Sequence, residues 1–280
     1  MKIFITAPPE TGKSTVIAGV IERLRCPKRG ILAREIRDES GQRVGFTSLN
    51  EAGDTKDFMS RTNSPTAESI CEFDVDVSAI DDFVVPELRD GLLLADTFLY
   101  IDEVGRAQAK SSSFLDVLRQ IANSPCSFLG SIVYDDEPWS REFKNHPEVC
   151  VLEVTARNRN ALPEILLAAF STRADFARLS PAQQSLCYMW LCDFVREAQF
   201  DSARKLFTNA IGYVLGEKVT ECVPGQKYEV KGKTSKHSIT CDTRGSFGCD
   251  CDLSNGRGLF QNNPGPCSHV MAIKLHRLTD

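Results

Sequence analysis

The sequence predicts an α/β chain: a doubly wound, mostly parallel sheet, then a helical hairpin, then a small cysteine-rich ββα module. Three observations predict it. Short apolar runs of strand length alternate with helical patterns through the first part of the chain. Two amphipathic stretches with helix-start signals follow. The final segment gathers Cys249, Cys251, Cys267 and His269. A chain of 280 residues holds one medium α/β domain and a small stapled one. The expected division is residues 1–172, a connector over 173–220, and 221–280.

The first element is the apolar strand Met1–Thr6. It runs into Ala7-Pro8-Pro9-Glu10-Thr11-Gly12-Lys13-Ser14-Thr15. A helical pattern follows, with Val16, Ile17, Val20, Ile21 and Leu24 on one face. Strand, loop and helix in that order are the setting of a phosphate-binding P-loop. Backbone N–H groups from Glu10 to Thr15 and the helix start cradle phosphates, with Pro8 and Pro9 shaping the loop. Lys13 reaches the β/γ-phosphates, and the Ser14 hydroxyl binds Mg²⁺. Ala7 stands where the motif has its first glycine, a place alanine fills if φ is negative.

A P-loop needs a neighbouring strand that ends in an acid. Thr97-Phe98-Leu99-Tyr100-Ile101-Asp102-Glu103 supplies it. Asp102 is expected to emerge beside the P-loop and orient Mg²⁺, and Glu103 to position or activate water. Ser127–Val133 and Val149–Val154 read as further buried strands. Ser111–Ser113 with Asp116 reads as a capping-box helix start, with Phe114, Leu118 and Ile121 on one face. Leu162–Phe170 reads as the closing helix. Arg34, Arg37, Arg43, Arg141 and Arg159 are candidates for contacting the γ-phosphate or base.

These stretches resemble the THEP1-type nucleoside triphosphatases, a P-loop NTPase family, over roughly residues 1–170. The shared pattern is carried by Gly30–Arg37, by Gly41–Phe46, by Ile101–Gly105, and by Asn158-Arg159 before Leu162-Pro163. The resemblance implies hydrolysis of nucleoside triphosphates to diphosphates, broad base tolerance, slow turnover and a compact doubly wound sheet. It favours Arg37 and Arg159 among the arginines. The chain departs from the pattern at Ala33, usually threonine, and at Arg106-Ala107-Gln108-Ala109, usually Lys, Met, Glu and Leu. The family's Gly-Lys/Arg-Tyr segment is represented only by Cys71-Glu72-Phe73. Nucleotide binding is therefore more firmly implied than substrate choice or rate.

In the connector, Ser180-Pro181 marks a helix start. Cys187, Trp190, Leu191, Phe194, Val195 and Ala198 recur at helical spacing. Asp201 reads as the cap of a second helix, with Ala203, Leu206, Phe207, Ala210, Ile211 and Val214 on one face and Gly216 at its end. Two such helices suggest an antiparallel hairpin, serving either as a spacer packed on a domain or as a partner surface.

Cys249-x-Cys251 and Cys267-x-His269 make a complete four-ligand set for structural zinc. In extended chain, residues i and i+2 share a side, so each pair chelates together. Pro266 and Ser268 flank the second pair, and Val270–Leu275 reads as a short helix. The pattern resembles the SWIM zinc finger over roughly residues 221–280. That resemblance places two strands, around Tyr228–Val230 and His237–Ile239, before the first cysteines. Cys241 and His237 lie near the ligand set and compete for assignment. Zinc is expected to stabilise this zinc-binding ββα module directly, since its apolar content is small.

Residues 221–280 carry five Lys and three Arg against six acids, a net +2, leaving −7 for the rest of a chain whose total is −5. A weakly basic module permits nucleic-acid contact without demanding it. Lys227, Lys231, Lys233, Lys236, Arg244 and Arg257, with Tyr228, Phe247 and Phe260 interleaved, suit phosphates and bases. A protein partner is the alternative. No signal peptide or membrane-spanning run is evident, so a cytoplasmic location is expected and other cysteines such as Cys126, Cys187 and Cys192 read as buried thiols. The functional expectation is a Mg²⁺-dependent triphosphatase acting on ATP or GTP. Two alternatives remain: a nucleotide-dependent adaptor with incidental turnover, and a P-loop kinase, for which no Arg-rich lid is evident.

Overall fold

The computed structural model describes residues 1–62, 69–171, 173–196, 203–232, 235–244, 246–251 and 267–278. They group into two compact units, Met1–Pro163 and Glu164–Asp280. Helices expected as a connector therefore share a unit with the cysteine-rich segment.

The first unit opens with β1 (Lys2–Thr6), α1 (Lys13–Ile21), β2 (Lys28–Arg37), β3 (Arg43–Asn50), β4 (Thr55–Arg61) and β5 (Phe73–Val75). A continuous helical stretch follows as α2 (Val77–Ala79), a π turn over Ile80–Val84, and α3 (Val85–Leu93). Then come β6 (Phe98–Val104), α4 (Ser112–Asn123), β7 (Ser127–Ile132), α5 (Pro138–Lys144) and β8 (Val149–Glu153). The eight strands form one sheet in the order β5-β4-β3-β2-β6-β7-β1-β8.

The sheet is mixed, with five of its eight strands mutually parallel. β2, β6, β7, β1 and β8 run parallel, while β3, β4 and β5 fold back antiparallel from β2. Turn chemistry explains the difference. The Asp38 carboxylate accepts from the N–H groups of Ser40 and Gln42, and Gly41 takes φ 81°. So short a link joins strands only as a hairpin. The second turn is built alike, with Asp54 N–H donating to Asn50 Oδ1 and Gly53 at φ 92°.

The central parallel strands β1, β6 and β7 are covered on both faces and so read as nearly continuous apolar runs. β1 and β7 are buried throughout, and β6 is buried except at Glu103. Leu99, Ile101, Phe128 and Ile31 pack with Leu88 of α3 and with Phe114, Leu118 and Ile121 of α4. Gly30 sits where a Cβ would lie 1.9 Å from the Tyr100 carbonyl oxygen, so only glycine allows β2 to approach β6 there. α4 starts with a simple cap instead of the expected box: Ser111 Oγ accepts from Phe114 N–H at 2.9 Å, and Asp116 pairs with Arg119. A capping box does occur at α5, between Glu137 and Ser140.

In the second unit are α7 (Arg173–Phe176), α8 (Pro181–Arg196), α9 (Ala203–Leu215), β9 (Val219–Val223), β10 (Lys227–Lys231), β11 (Lys236–Cys241), β12 (Phe247–Cys249) and α10 (Ser268–His276); α6 (Leu162–Ser171) runs across the division. Ser180 and Gln183 cap α8 reciprocally, and Gln183 Nε2 also donates to the Leu275 carbonyl at 2.9 Å. The expected closed hairpin is not the main packing. α9 packs chiefly on α10 and also meets α7. The buried face of α9, Leu206, Phe207, Ala210 and Ile211, is the reason. Ala198 and Asp201 lie outside the described residues.

The module expected as ββα has four strands, in the antiparallel order β12-β11-β10-β9. The two expected strands are the inner pair. α10 lies against this sheet, and Tyr228, Val230, Ile239, Val270, Ala272 and Ile273 form their shared core.

Candidate active site

The C-terminal ends of β1, β6, β7 and β8 meet at one edge, where open α/β sheets bind ligands. Their loops are tied together: Thr6 Oγ1 donates to the Ile132 carbonyl at 3.1 Å, and Val154 N–H donates to the Thr6 carbonyl at 2.8 Å. The chain leaves β1 through a compact loop. Ala7 is buried and is not among the residues with positive φ, so the methyl group is accommodated there. Glu10 takes φ 61° and Gly12 φ 107°. Those left-handed residues turn the loop into α1, whose first residue is Lys13. Thr11 Oγ1 donates to the Pro8 carbonyl at 2.8 Å, and Lys13 Nζ donates to the carbonyls of Ala7 and Pro8 at 2.9 and 3.3 Å.

Asp102 and Glu103 sit on a bulge. The β6–β7 register breaks between Ile101 and Val104, and Glu103 takes φ 89°. Ser131 of β7 occupies the break. Its Oγ accepts from Glu103 N–H at 2.8 Å and donates to Asp102 Oδ1 at 3.3 Å. Ser14 of α1 also faces the Asp102 carboxylate closely enough to favour its charged form. Sequence reading missed Ser131; its signal is a lone polar residue inside the apolar run Phe128-Leu129-Gly130-Ser131-Ile132.

Charges here are mutually adjusted. Burial pushes the Asp102 carboxyl above its usual range, opposed by the Ser14 and Ser131 hydrogen bonds and by Lys13. Glu103 is pushed up to about 7, first by surrounding protein and then by the Asp102 charge, against Lys13 and Arg43. Glu103 also presents surface to solvent, which tempers the burial contribution; the Asp102 charge acts in the same upward direction. Burial lowers Lys13, opposed by Glu103 and Asp102.

The arginines divide. Arg159 packs over the loop, its Cδ 3.8 Å from where a Cβ on Gly12 would stand. Buried Asn158 braces that segment, with Nδ2 donating to the Glu153 carbonyl and Oδ1 accepting from Thr155 N–H, both at 2.8 Å. Arg37 donates to the Gly41 carbonyl at 2.7 Å and pairs with Glu35. Arg43 pairs with the same Glu35 carboxylate. Arg141 donates to the Asp136 carbonyl at 3.5 Å, and Arg34 is exposed.

A family profile described as NTPase matches residues 2–167. The chain belongs to the NTPase family. It is 29% identical over 175 residues to "Nucleoside-triphosphatase THEP1" of Aquifex aeolicus, covering 60% of this chain and 98% of that protein. It is 30% identical over 187 residues to human "Cancer-related nucleoside-triphosphatase", covering 61% and 97%. The crystal structure of THEP1 from Aquifex aeolicus superposes with TM-score 0.54 at 27% identity, over 60% of this chain and 98% of that one. The solution structure of a human cancer-related nucleoside triphosphatase gives TM-score 0.52 at 28% identity, over 61% and 98%. Almost the whole of each relative thus corresponds to the NTPase part of this chain.

Beyond that part, Cys249, Cys251, Cys267 and His269 are buried, with their ligand atoms all within 4.8 Å of one another. Cys249 Sγ and Cys267 Sγ stand 3.8 and 3.9 Å from His269 Nδ1. The edges of a tetrahedral zinc site are about 3.8 Å between sulfurs and about 3.6 Å from sulfur to nitrogen. β12 delivers Cys249 and the start of α10 delivers His269. The Cys249 hydrogen bond, helped by His269, holds the Cys267 thiol below its usual range. His237 is engaged otherwise: Nδ1 faces Asp250 at 3.2 Å and Nε2 faces Ser235 at 2.9 Å, while its ring stacks on His269 at 4.0 Å. Cys241 accepts from Arg277 at 3.9 Å and is outside the cluster.

The expected basic and aromatic surface changes. Tyr228 is only 1% exposed, a core residue and not a stacking platform. Period-two alternation along β10 turns Lys227 and Lys231 outward and Tyr228 inward. Phe247 remains partly accessible under Lys274 and Arg277, whose charged ends lie 5.9 and 5.8 Å from its ring centre. Lys236 pairs with Glu229 at 3.4 Å, and Arg244 is exposed. Lys233, Arg257, Phe260 and Pro266 lie outside the described residues. Among the described residues, no helix is long and apolar enough to cross a membrane.

Proposed function

We propose that this chain hydrolyses nucleoside triphosphates, ATP or GTP among them, to diphosphate and phosphate at the loop between β1 and α1. Membership of the NTPase family makes it a nucleoside-triphosphatase. The observation that carries the site assignment is the convergence of Lys13 and Ser14 of α1 on Asp102 and Glu103 of β6, residues far apart in sequence whose charges act on one another. A hydroxyl and a carboxylate facing each other beside a lysine are the hard oxygen donors that Mg²⁺ takes. Ser14 and Asp102 would hold that ion, which neutralises phosphate charge when bound. Pro8 to Thr15 would surround the phosphates, Lys13 would meet the β/γ-phosphates, and Arg159 would close over Gly12. Glu103 would accept a proton from the attacking water. Arg37 takes part indirectly, by fixing Glu35.

The four cysteine and histidine ligands would hold a structural zinc ion. All four positions come from protein, so the metal stabilises the fold and has no open site for chemistry. We read the module, on its likeness to the SWIM pattern, as a docking element for a nucleic acid or a protein, and the chain as acting in the cytoplasm. The burial of Tyr228 removes one of the aromatics that favoured nucleic acid. The second reading, a nucleotide-dependent switch with incidental turnover, is favoured by the departures at Arg106–Ala109 beside the site.

Multiple-turnover phosphate release from each of four nucleoside triphosphates, with and without single-stranded and duplex nucleic acid, tests both readings. Release with water alone supports the enzyme. Tight binding with at most one turnover supports the switch.

A further inference from the structure

Arg43 at the start of β3 is held in a particular way. One terminal nitrogen pairs with Glu35 of β2, which Arg37 also holds, so the carboxylate is clamped from two sides. The guanidinium lies 5.4 Å from the centre of the Phe46 ring. Its Nε is buried and meets no hydrogen-bond partner, although the side chain as a whole is 37% exposed. A buried N–H without an acceptor is costly and rare in folded proteins. Glu103 lies within electrostatic reach of Lys13, Asp102, Arg43 and Glu35. Arg37, by contrast, donates to both Glu35 and the Gly41 carbonyl.

We propose that Arg43 is the arginine that meets the terminal phosphate of the bound triphosphate, with Glu35 as its positioning residue. This rests on the triphosphatase reading of the same site. β2 runs parallel to β6, and β3 begins beside the end of β2 with Arg43 opposite Arg37, so Arg43 stands at the sheet edge that carries Asp102 and Glu103. Its charge and that of Lys13 are both felt at Glu103, and a γ-phosphoryl group there would lie between the two cations. Arg43 donates N–H hydrogen bonds to the phosphoryl oxygens and keeps its proton. The water oxygen bonds to phosphorus, the bond to the β–γ bridging oxygen breaks, and that electron pair leaves with the diphosphate. Phosphoryl transfer is catalysed largely by such fixed charge. The diphosphate product lacks the group that Arg43 meets, so its binding does not depend on this residue.

The test compares the parent chain with Arg43→Gln, Arg43→Lys and Glu35→Gln. Turnover is measured together with the affinities for a nucleoside diphosphate, a non-hydrolysable triphosphate, and the diphosphate with fluoroaluminate, which mimics the transferring phosphoryl group. Arg43→Gln should lower kcat on the order of 10²-fold or more. It should weaken the fluoroaluminate and triphosphate complexes while leaving diphosphate affinity within about threefold. Arg43→Lys should recover part of the loss, because charge returns without the planar fork. Glu35→Gln should lower kcat less than Arg43→Gln does. Equal loss of all three affinities would show a merely structural role and overturn the proposal, as would parent-like turnover and fluoroaluminate binding in Arg43→Gln. If the parent itself turns over no triphosphate, the triphosphatase reading fails separately, and the affinity comparison still decides Arg43. A parent that binds none of the three ligands overturns both.

Discussion

The Lys13 ammonium donates to the Ala7 carbonyl at 2.9 Å, so the loop holds its own cation in place. The β/γ-phosphates would draw the same ammonium away from two neutral carbonyls. Lys13→Ala should therefore weaken triphosphate binding by about 10²-fold, the scale of one or two charge-assisted hydrogen bonds. Calorimetric titration with a non-hydrolysable analogue measures it. Unaltered affinity would remove Lys13 from the site.

Glu103→Gln should keep triphosphate affinity and slow hydrolysis about 10²-fold or more, as expected for a lost general base. The base must be deprotonated, so the parent rate should rise with pH as the carboxyl, raised to about 7 in the protein alone, loses its proton. A bound divalent cation favours the charged form and moves that rise to lower pH. The same limb should be absent from the variant's pH profile; its persistence would assign the titration to another group.

Metal analysis of protein purified without added zinc should return about one zinc per chain. The pair Cys249→Ser/Cys267→Ser should lose it, and chelation should lower the stability of the segment around the β10 and α10 core. Zinc content unchanged in that variant would move the ligands elsewhere.

A chain ending at residue 172 should hydrolyse triphosphates within about threefold of the full chain, since remote modules tune coupling and do not supply the chemistry. Relatives that align over 97% and 98% of their own length consist of little besides this part. A cut at residue 220 is the poorer choice, because it removes α10 from the buried face of α9. A folded, nucleotide-bound 1–172 fragment without activity would place a catalytic contribution in the second unit.

Lys2 of β1 is buried and donates to Glu148 at 2.7 Å, just before β8. That hydrogen bond holds the Glu148 carboxyl below its usual range. A depressed folded-state value means stabilisation present above the unfolded value and lost as pH falls through the folded one. Glu148→Gln should destabilise by about 1 kcal/mol near neutral pH, modest because Glu148 is half exposed. Urea unfolding of parent and variant should converge as pH falls through the lowered folded-state value of Glu148, where its carboxyl becomes neutral like the amide. A constant gap at all pH values would show the effect to be packing.

The sequence by itself determined the features whose chemistry is local. A strand, a Gly-Lys-Ser turn and a helix are neighbours along the chain, so loop and lysine are legible together. So are the two closely spaced pairs Cys249/Cys251 and Cys267/His269, and the apolar runs of β1, β6 and β7, because strands covered on both faces must be apolar throughout. Tertiary structure decided what depends on distant segments. Ser14 faces Asp102 only because β1 and β6 share a sheet edge, and Ser131 enters the site only because the β6–β7 register breaks beside it. The proposed preference for Arg43 over Arg37 rests on tertiary contacts too: Arg37 donates to the Gly41 carbonyl, while Arg43 Nε is buried without a partner. Tyr228 faces the core because strand alternation and the pairing of β10 turn it there. Residue type fixes what a side chain can do; pairing between remote strands fixes what it meets.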